Sequence, residues 1–263
     1  MFRKHLHRSI PSLAVAIALV AASAAPAAAQ TLDEVLAKHF EAQGGKERIA
    51  AVNSLKMTAR QIAGPQTIPL TIYWKRPDKV RIEINYQGMV GIQAYDGKNA
   101  WMVMPFLGKN DPEAMTGDDL KEIIDQADLI EGPLFNWKEK GNTVELLGEE
   151  SLEGTPAWKI KLVKKNGESS TIWLDKEAFL QIKSEGKRKR GDVEAEFETS
   201  LGDYKEVGGL LFPFSSESKP KGAPQGFGFA LDKVELDVAV DDALFVMPAK
   251  PAAPAAAPAG GQG

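Results

Sequence analysis

The side chains able to do chemistry are few, and their spacing argues against catalysis. Beyond residue 29 the chain holds one histidine, His39, and the whole chain holds no cysteine. His39 falls on the apolar face of a helical stretch. That position predicts a packed ring, because an imidazole acting as base needs positioned partners. One histidine and no thiol cannot assemble the His/Cys sets that zinc requires. A Ser-His-Asp triad would have to use His39, and no G-x-S-x-G turn supplies its nucleophile. Phosphate loops are missing too, since Gly226-Phe-Gly228 lacks the rest of any such motif. No metal and no cofactor is expected, and no enzyme.

Carboxylates are the remaining candidates. Asp118 and Asp119 open a helical stretch, where acids favour the dipole. Asp241 and Asp242 form a second pair. Glu194, Glu196 and Glu198 alternate along a strand, which is the pattern of a solvated sheet face. Two such acids serve glycosidases, but nothing in the spacing sets a pair across a cleft, so hydrolysis is the least favoured reading. The run Lys187-Arg188-Lys189-Arg190 lies between Gly186 and Gly191 and reads as a solvated hairpin tip. A docking patch for an acidic partner is the alternative.

Bulk features narrow the class further. Arg3, Lys4 and Arg8 precede a short apolar run, Leu13 to Val20, and Ala27 to Ala29 offer a cleavage site. Residues 1–29 thus read as a secretory signal peptide, with an uncleaved anchor as the alternative. Its removal would leave 29 basic against 36 acidic residues, a net charge of −7. An acidic chain is a poor partner for nucleic acid or an anionic membrane, since either needs a basic footprint. Without cysteine, neither disulfides nor a lipidated N-terminus is expected, so the prediction is a free, monomeric periplasmic protein stabilised by its core.

The stretches between are mostly strands. Ser54 to Ile62, Ile68 to Trp74 and Val80 to Tyr86 alternate apolar and polar residues. Asp96-Gly97 and Asn166-Gly167 mark hairpin turns. Turns recur about every ten residues, which predicts an antiparallel meander of about eleven strands within residues 30–248. Helices are expected at Leu32 to Gln43, Lys46 to Val52 and Asp118 to Leu129. The third should turn Leu120, Ile123, Ile124 and Ala127 inward. Gly108 to Gly117 reads as a polar break. Residues 249–263, nearly all Pro, Ala and Gly, read as a disordered tail.

Two segments are distinctive, Tyr73-Trp-Lys-Arg-Pro-Asp-Lys-Val-Arg-Ile and Tyr95-Asp-Gly-Lys-Asn-Ala-Trp-Met. They resemble the periplasmic outer-membrane lipoprotein carrier (LolA-like) family. Trp173-Leu-Asp-Lys-Glu-Ala-Phe-Leu, Gly208-Gly-Leu-Leu-Phe-Pro and Asp242-Ala-Leu-Phe-Val-Met-Pro are similar to wider members. The resemblance implies an α+β fold, a curved, unclosed antiparallel barrel with helices over its concave face. It implies a carrier that takes acyl chains of lipoproteins or free lipid from an inner-membrane donor toward an outer-membrane acceptor. It also implies that Arg76 latches the helical lid by bonding backbone carbonyls; the alternative is a solvated strand end. A module that senses a hydrophobe and regulates a membrane partner is the competing function.

Such a carrier needs an apolar lining. Ile72, Trp74, Ile82, Ile84, Trp101, Val103, Trp173, Phe212 and Phe214 are the candidates. Met57, Met89, Met102, Met104 and Met115 would adapt to irregular guests. Any of these also suits an ordinary core. The first helix and the one at 118–129 are the candidate lids.

Overall fold

The computed structural model describes residues 30–190 and 193–249. The leader expected at 1–29 lies outside them, as does the expected tail beyond Ala249.

Two short helices come first. The α1 helix (Leu32–Ala42) is started by a capping box, with Thr31 and Glu34 each accepting from the other's backbone N–H. Its apolar stripe buries Val35, Leu36, His39 and Phe40. Gly44 ends it at φ 114°, and a Cβ there would stand 2.0 Å from the Gly209 carbonyl oxygen, so only glycine permits this approach. The α2 helix (Lys46–Ala51) follows.

Six strands then meander: β1 (Ser54–Ala63), β2 (Gln66–Lys75), β3 (Lys79–Tyr86), β4 (Met89–Tyr95), β5 (Ala100–Met104) and β6 (Lys109–Ala114). A 3₁₀ turn at Pro105–Leu107 separates the last two. The α3 helix (Gly117–Ala127) and a turn-rich link lead to seven more strands. These are β7 (Thr143–Leu152), β8 (Thr155–Val163), β9 (Ser169–Asp175), β10 (Gln181–Arg190), β11 (Val193–Val207), β12 (Leu210–Pro220) and β13 (Phe227–Leu236). Asp96 holds the first expected hairpin, its carboxylate accepting from the N–H groups of Lys98 and Asn99. The hairpin at Asn166-Gly167 also forms, between β8 and β9.

The thirteen strands make one sheet, in the order β6-β5-β4-β3-β2-β1-β13-β12-β11-β10-β9-β8-β7. Sequence neighbours pair throughout, except that β1 closes on β13. The β6 and β7 edges do not meet, so the antiparallel sheet stays open. Residues 109–114, expected as a break, are its sixth strand and pair with β5. Their polar side chains and Pro112 suit an edge that must not recruit another strand. The strand count accordingly exceeds the eleven expected.

Register separates the two faces. Leu55, Met57 and Ala59 stand opposite Trp74, Ile72 and Leu70, which in turn face Val80, Ile82 and Ile84. On the other side of β1 the same row continues through Leu236, Val234 and Leu231. With half-buried Ile82, Ile84 and Leu236 packed against them, the rest of these residues and the apolar sides of all three helices form one buried cluster. It continues on the far strands with Val144, Trp158, Ile160, Leu162, Ile172 and Leu174. In α3, Ile123 and Ala127 turn inward as expected and Leu120 packs partly, but Ile124 is 43% exposed. The stripe is narrower than the sequence suggested.

The opposite face carries the charges. Glu198 and Lys183 pair at 2.8 Å, and Lys219 reaches Glu198 at 3.3 Å. Lys187 pairs with Glu194 at 2.8 Å, near the hairpin tip expected for the basic run. Residues 238–248 cross this face over the first five strands. Ser54, Lys75, Arg81 and Trp101 donate to the carbonyls of Val238, Val240, Leu244 and Phe245.

Candidate functional site

Six of the nine candidate lining residues fall on the helix-covered face: Ile72, Trp74, Ile82, Ile84, Phe212 and Phe214. Three do not. Trp101 and Val103 stand opposite Ala94 and Ile92, in the row that faces away from the helices. The Trp101 ring is covered by the 238–248 segment, and its indole N–H donates to Phe245 O at 2.8 Å. Trp173 pairs with Lys159 and Lys183 on the charged face, where its N–H donates to Glu150 at 2.8 Å. The physical reason is common to these strands: Ala100 to Met104 and Ile172 to Leu174 are apolar on both faces, so alternation cannot say which residue points where.

The helix-covered face is not uniform. Near the helices it is densely filled. Trp74 is 2% exposed and its indole N–H donates to Ala127 O at 2.7 Å, which ties β2 to the last turn of α3. Met57, Met102, Met104 and Met115 are buried there too, whereas Met89 is 40% exposed. Gly91 leaves room for this packing: a Cβ would lie 2.6 Å from both Met104 and Phe106. Farther along, Ile82, Ile84, Ile68 and Phe229 on β3, β2 and β13 make a half-buried apolar tract, crossed by Gln61 between Ile68 and Phe229, and half-buried Phe212 of β12 lies beyond buried Phe214. Ile68 and Phe229 were not on the sequence list, although each continues a period-two row, from Trp74 back through Leu70 and from Leu231 back to Phe227.

A separate recess of about 550 Å³ opens between the helices and the link that follows α3. Leu36, Phe40, Leu134 and Trp137 line it, with Asp33, Glu41, Glu47 and Glu139 among its rim. The ring of Phe40 meets that of Phe135 edge-on at 5.5 Å, and Lys46 lies 4.8 Å over Phe40.

The helices are held to the sheet by a small number of polar ties. Arg76, at the β2–β3 turn, donates from Nε to Val52 O at 2.6 Å and from Nη2 to Ile49 O at 3.0 Å. Its Nη1 reaches the Glu131 carboxylate at 2.8 Å. One guanidinium therefore holds the end of α2 and the segment after α3 together. Arg48 donates to Gly208 O at 2.8 Å. Lys164 holds Asp125 of α3 at 2.8 Å, and Lys121 pairs with Glu168. His39 sits 4% exposed, and its Nδ1 lies 2.7 Å from Phe179 O. A carbonyl only accepts, so that nitrogen carries the proton. Burial pushes the imidazole below its ordinary value, against the pull of that carbonyl.

Tyr204, half-buried, is pushed up to about 12 by desolvation and donates to Gln181 O at 2.6 Å. Burial raises Asp128 despite its bond to Lys140 at 2.6 Å. Among the described residues no group of three or more His, Asp or Glu side chains is placed to hold a metal ion. None of the described helices is long and apolar enough to cross a membrane.

No family profile and no curated protein matches the chain by sequence. Solved structures do match it by fold. A LolA superfamily protein from Nitrosomonas europaea superimposes with a TM-score of 0.56 at 14% identity, covering 83% of this chain and 98% of its own. A DUF1329 family protein from Desulfovibrio piger gives 0.54 at 13%, covering 79% and 95%. A putative outer membrane lipoprotein-sorting protein domain from Vibrio parahaemolyticus gives 0.52 at 13%, covering 81% and 94%. At such identities the likeness speaks for architecture, and that architecture, an open antiparallel half-barrel with helices over one face, is LolA-like.

Proposed function

We propose that this chain is an exported carrier that holds acyl chains of a lipoprotein or lipid on the helix-covered face of its sheet and hands them on within the periplasm. The observation that carries the reading is the apolar tract of Ile68, Ile82, Ile84 and Phe229, with Phe212 beyond it, left half-buried beside a filled core. A protein with no ligand to accommodate gains by filling such surface. Each methylene moved from water onto it contributes about 0.8 kcal/mol, so a long chain contributes on the order of 10 kcal/mol before ordering costs.

The filled part of the face lies under helices that a few side chains hold down. Movement of α3, which packs on β3 and β4, would extend the tract toward Ile72, which is 8% exposed. Arg76 is the latch in this scheme, because one side chain ties two lid segments to a strand turn. The name of the Vibrio neighbour supports lipoproteins as the cargo class.

Mass spectrometry of hydrophobes that co-purify with protein recovered from the periplasm tests the proposal. Bound lipid or lipoprotein is expected, together with saturable uptake of a fluorescent fatty acid. Recovery of an empty protein that takes up no probe would sink it.

A further inference from the structure

One rim of the sheet has an unusual surface. Ala63 pairs with Gln66 and Phe227, and Tyr86 with Met89, so the turns between β1 and β2, β3 and β4, and β12 and β13 share that rim. The 3₁₀ turn after β5 joins them. Ile62, Met89, Val90, Leu107 and Phe227 stand here at 37%, 40%, 46%, 68% and 51% exposure. They are five of the ten large hydrophobic side chains exposed among the described residues.

Their distribution says what they fit. Met89 and Phe227 lie in rows of the helix-covered face, while Ile62 and Val90 lie in rows of the other. A ligand groove would use one face only. Apolar groups on both faces of a rim suit a medium that surrounds the rim. The turns are separate and open: Gly64, Gly88, Gly108 and Gly222 all have positive φ and nothing within 4 Å of an added Cβ. A scalloped edge of this kind offers no flat patch to a rigid partner, whereas a fluid interface conforms to it.

Charge points the same way. Residues 62–67, 85–90, 105–109 and 221–227 contain no acidic residue in a chain with 36 Asp and Glu, and their two lysines, Lys109 and Lys221, pair with Glu113 and Glu185 outside these turns. The opposite rim carries Asp78, Asp96 and Asp237 at its turns. The β10 strand, moreover, carries Lys187-Arg188-Lys189-Arg190 past the end of β12, since Gly186 already pairs with Phe197 and Phe197 with Pro220.

We propose that this rim docks on the surface of an anionic lipid bilayer, with the five side chains entering the boundary between headgroups and acyl chains. The contact is independent of any cargo on the helix-covered face, so it is measured without one.

The chain has no cysteine, so Leu107→Cys gives a single attachment point for an environment-sensitive NBD fluorophore. Vesicles of phosphatidylethanolamine and phosphatidylglycerol should shift its emission to the blue and at least double its intensity. The same label at Leu147→Cys, on the β7 edge and 46% exposed, should not respond. In flotation, Met89→Ser/Val90→Ser/Leu107→Ser should bind vesicles at least tenfold more weakly than the parent, and Leu147→Ser equally well. No shift at position 107, an equal shift at 147, or a rim variant that floats like the parent would overturn the proposal. A shift that follows protein concentration without vesicles would replace it with self-association. An equal response to phosphatidylcholine vesicles would overturn the part assigned to headgroup charge.

Discussion

Arg76 and Glu131 lie 2.8 Å apart, joining the turn after β2 to the segment that follows α3, while the same guanidinium holds two carbonyls at the end of α2. The pair is partly buried, with side-chain exposures of 27% and 22%. Removal of the guanidinium strands two carbonyls and leaves the Glu131 carboxylate with only Lys140, 3.5 Å away. Arg76→Leu is expected to fold but to lose about 2–3 kcal/mol in urea denaturation. A bound fluorescent fatty acid should also leave it faster. Unchanged release kinetics would leave Arg76 as a purely structural tie.

Trp74 offers a narrower test of how α3 is fastened. Trp74→Phe keeps an aromatic ring but removes the bond to Ala127 O and leaves a small void where the buried indole stood. A loss of about 2–3 kcal/mol is expected. Hydrogen exchange should accelerate in Gly117–Ala127. Acceleration spread evenly over the sheet would contradict a local fastening.

The half-buried tract should bind without being needed for folding. Ile84→Ser and Phe212→Ser are expected to weaken fatty-acid binding at least fivefold, with stability changes of about 1 kcal/mol. Both side chains are only partly buried. Ile160→Ser, at 0% exposure, should instead destabilise by several kcal/mol, since it leaves a cavity and buries a hydroxyl. Binding that survives both substitutions would move the ligand elsewhere.

The segment across the opposite face should behave as part of the core. Phe245 is 0% exposed and its carbonyl accepts from Trp101. Phe245→Ala is expected to cost about 3–5 kcal/mol. Trp101 fluorescence should shift to the red as its cover loosens. A midpoint within experimental error of the parent would show the segment to be dispensable.

His39 predicts an acid-sensitive helix contact. Its pKa is lowered in the folded state, chiefly by burial. The unfolded chain therefore binds the proton more readily, and stability falls as pH drops below the ordinary imidazole value of about 6.5. Above that value the ring is neutral in both states and contributes no slope. Urea midpoints measured between about pH 7.5 and 5 should decline for the parent, and decline less for His39→Gln. Parallel profiles would exclude this ring as the cause.

Local periodicity determined much of this protein. The alternation in 54–62, 68–74 and 80–86 was enough for three strands and their buried rows, because a half-buried strand must repeat every two residues. The stripe through Val35, Leu36, His39 and Phe40 was enough for α1. Neighbour alone decided the rest. Lys109 to Ala114 has no apolar period and is a strand only because β5 offers it a ladder. Trp101 and Trp173 sit among residues apolar on both sides, so their facing depended on what covers each face: helices on one, and on the other the 238–248 segment or the charged rows of neighbouring strands. Ile62, Met89, Val90, Leu107 and Phe227 are far apart in sequence, and only the register of the sheet brings them to one rim. Period along one chain is a local property, whereas burial is set by whatever packs against it from a distance.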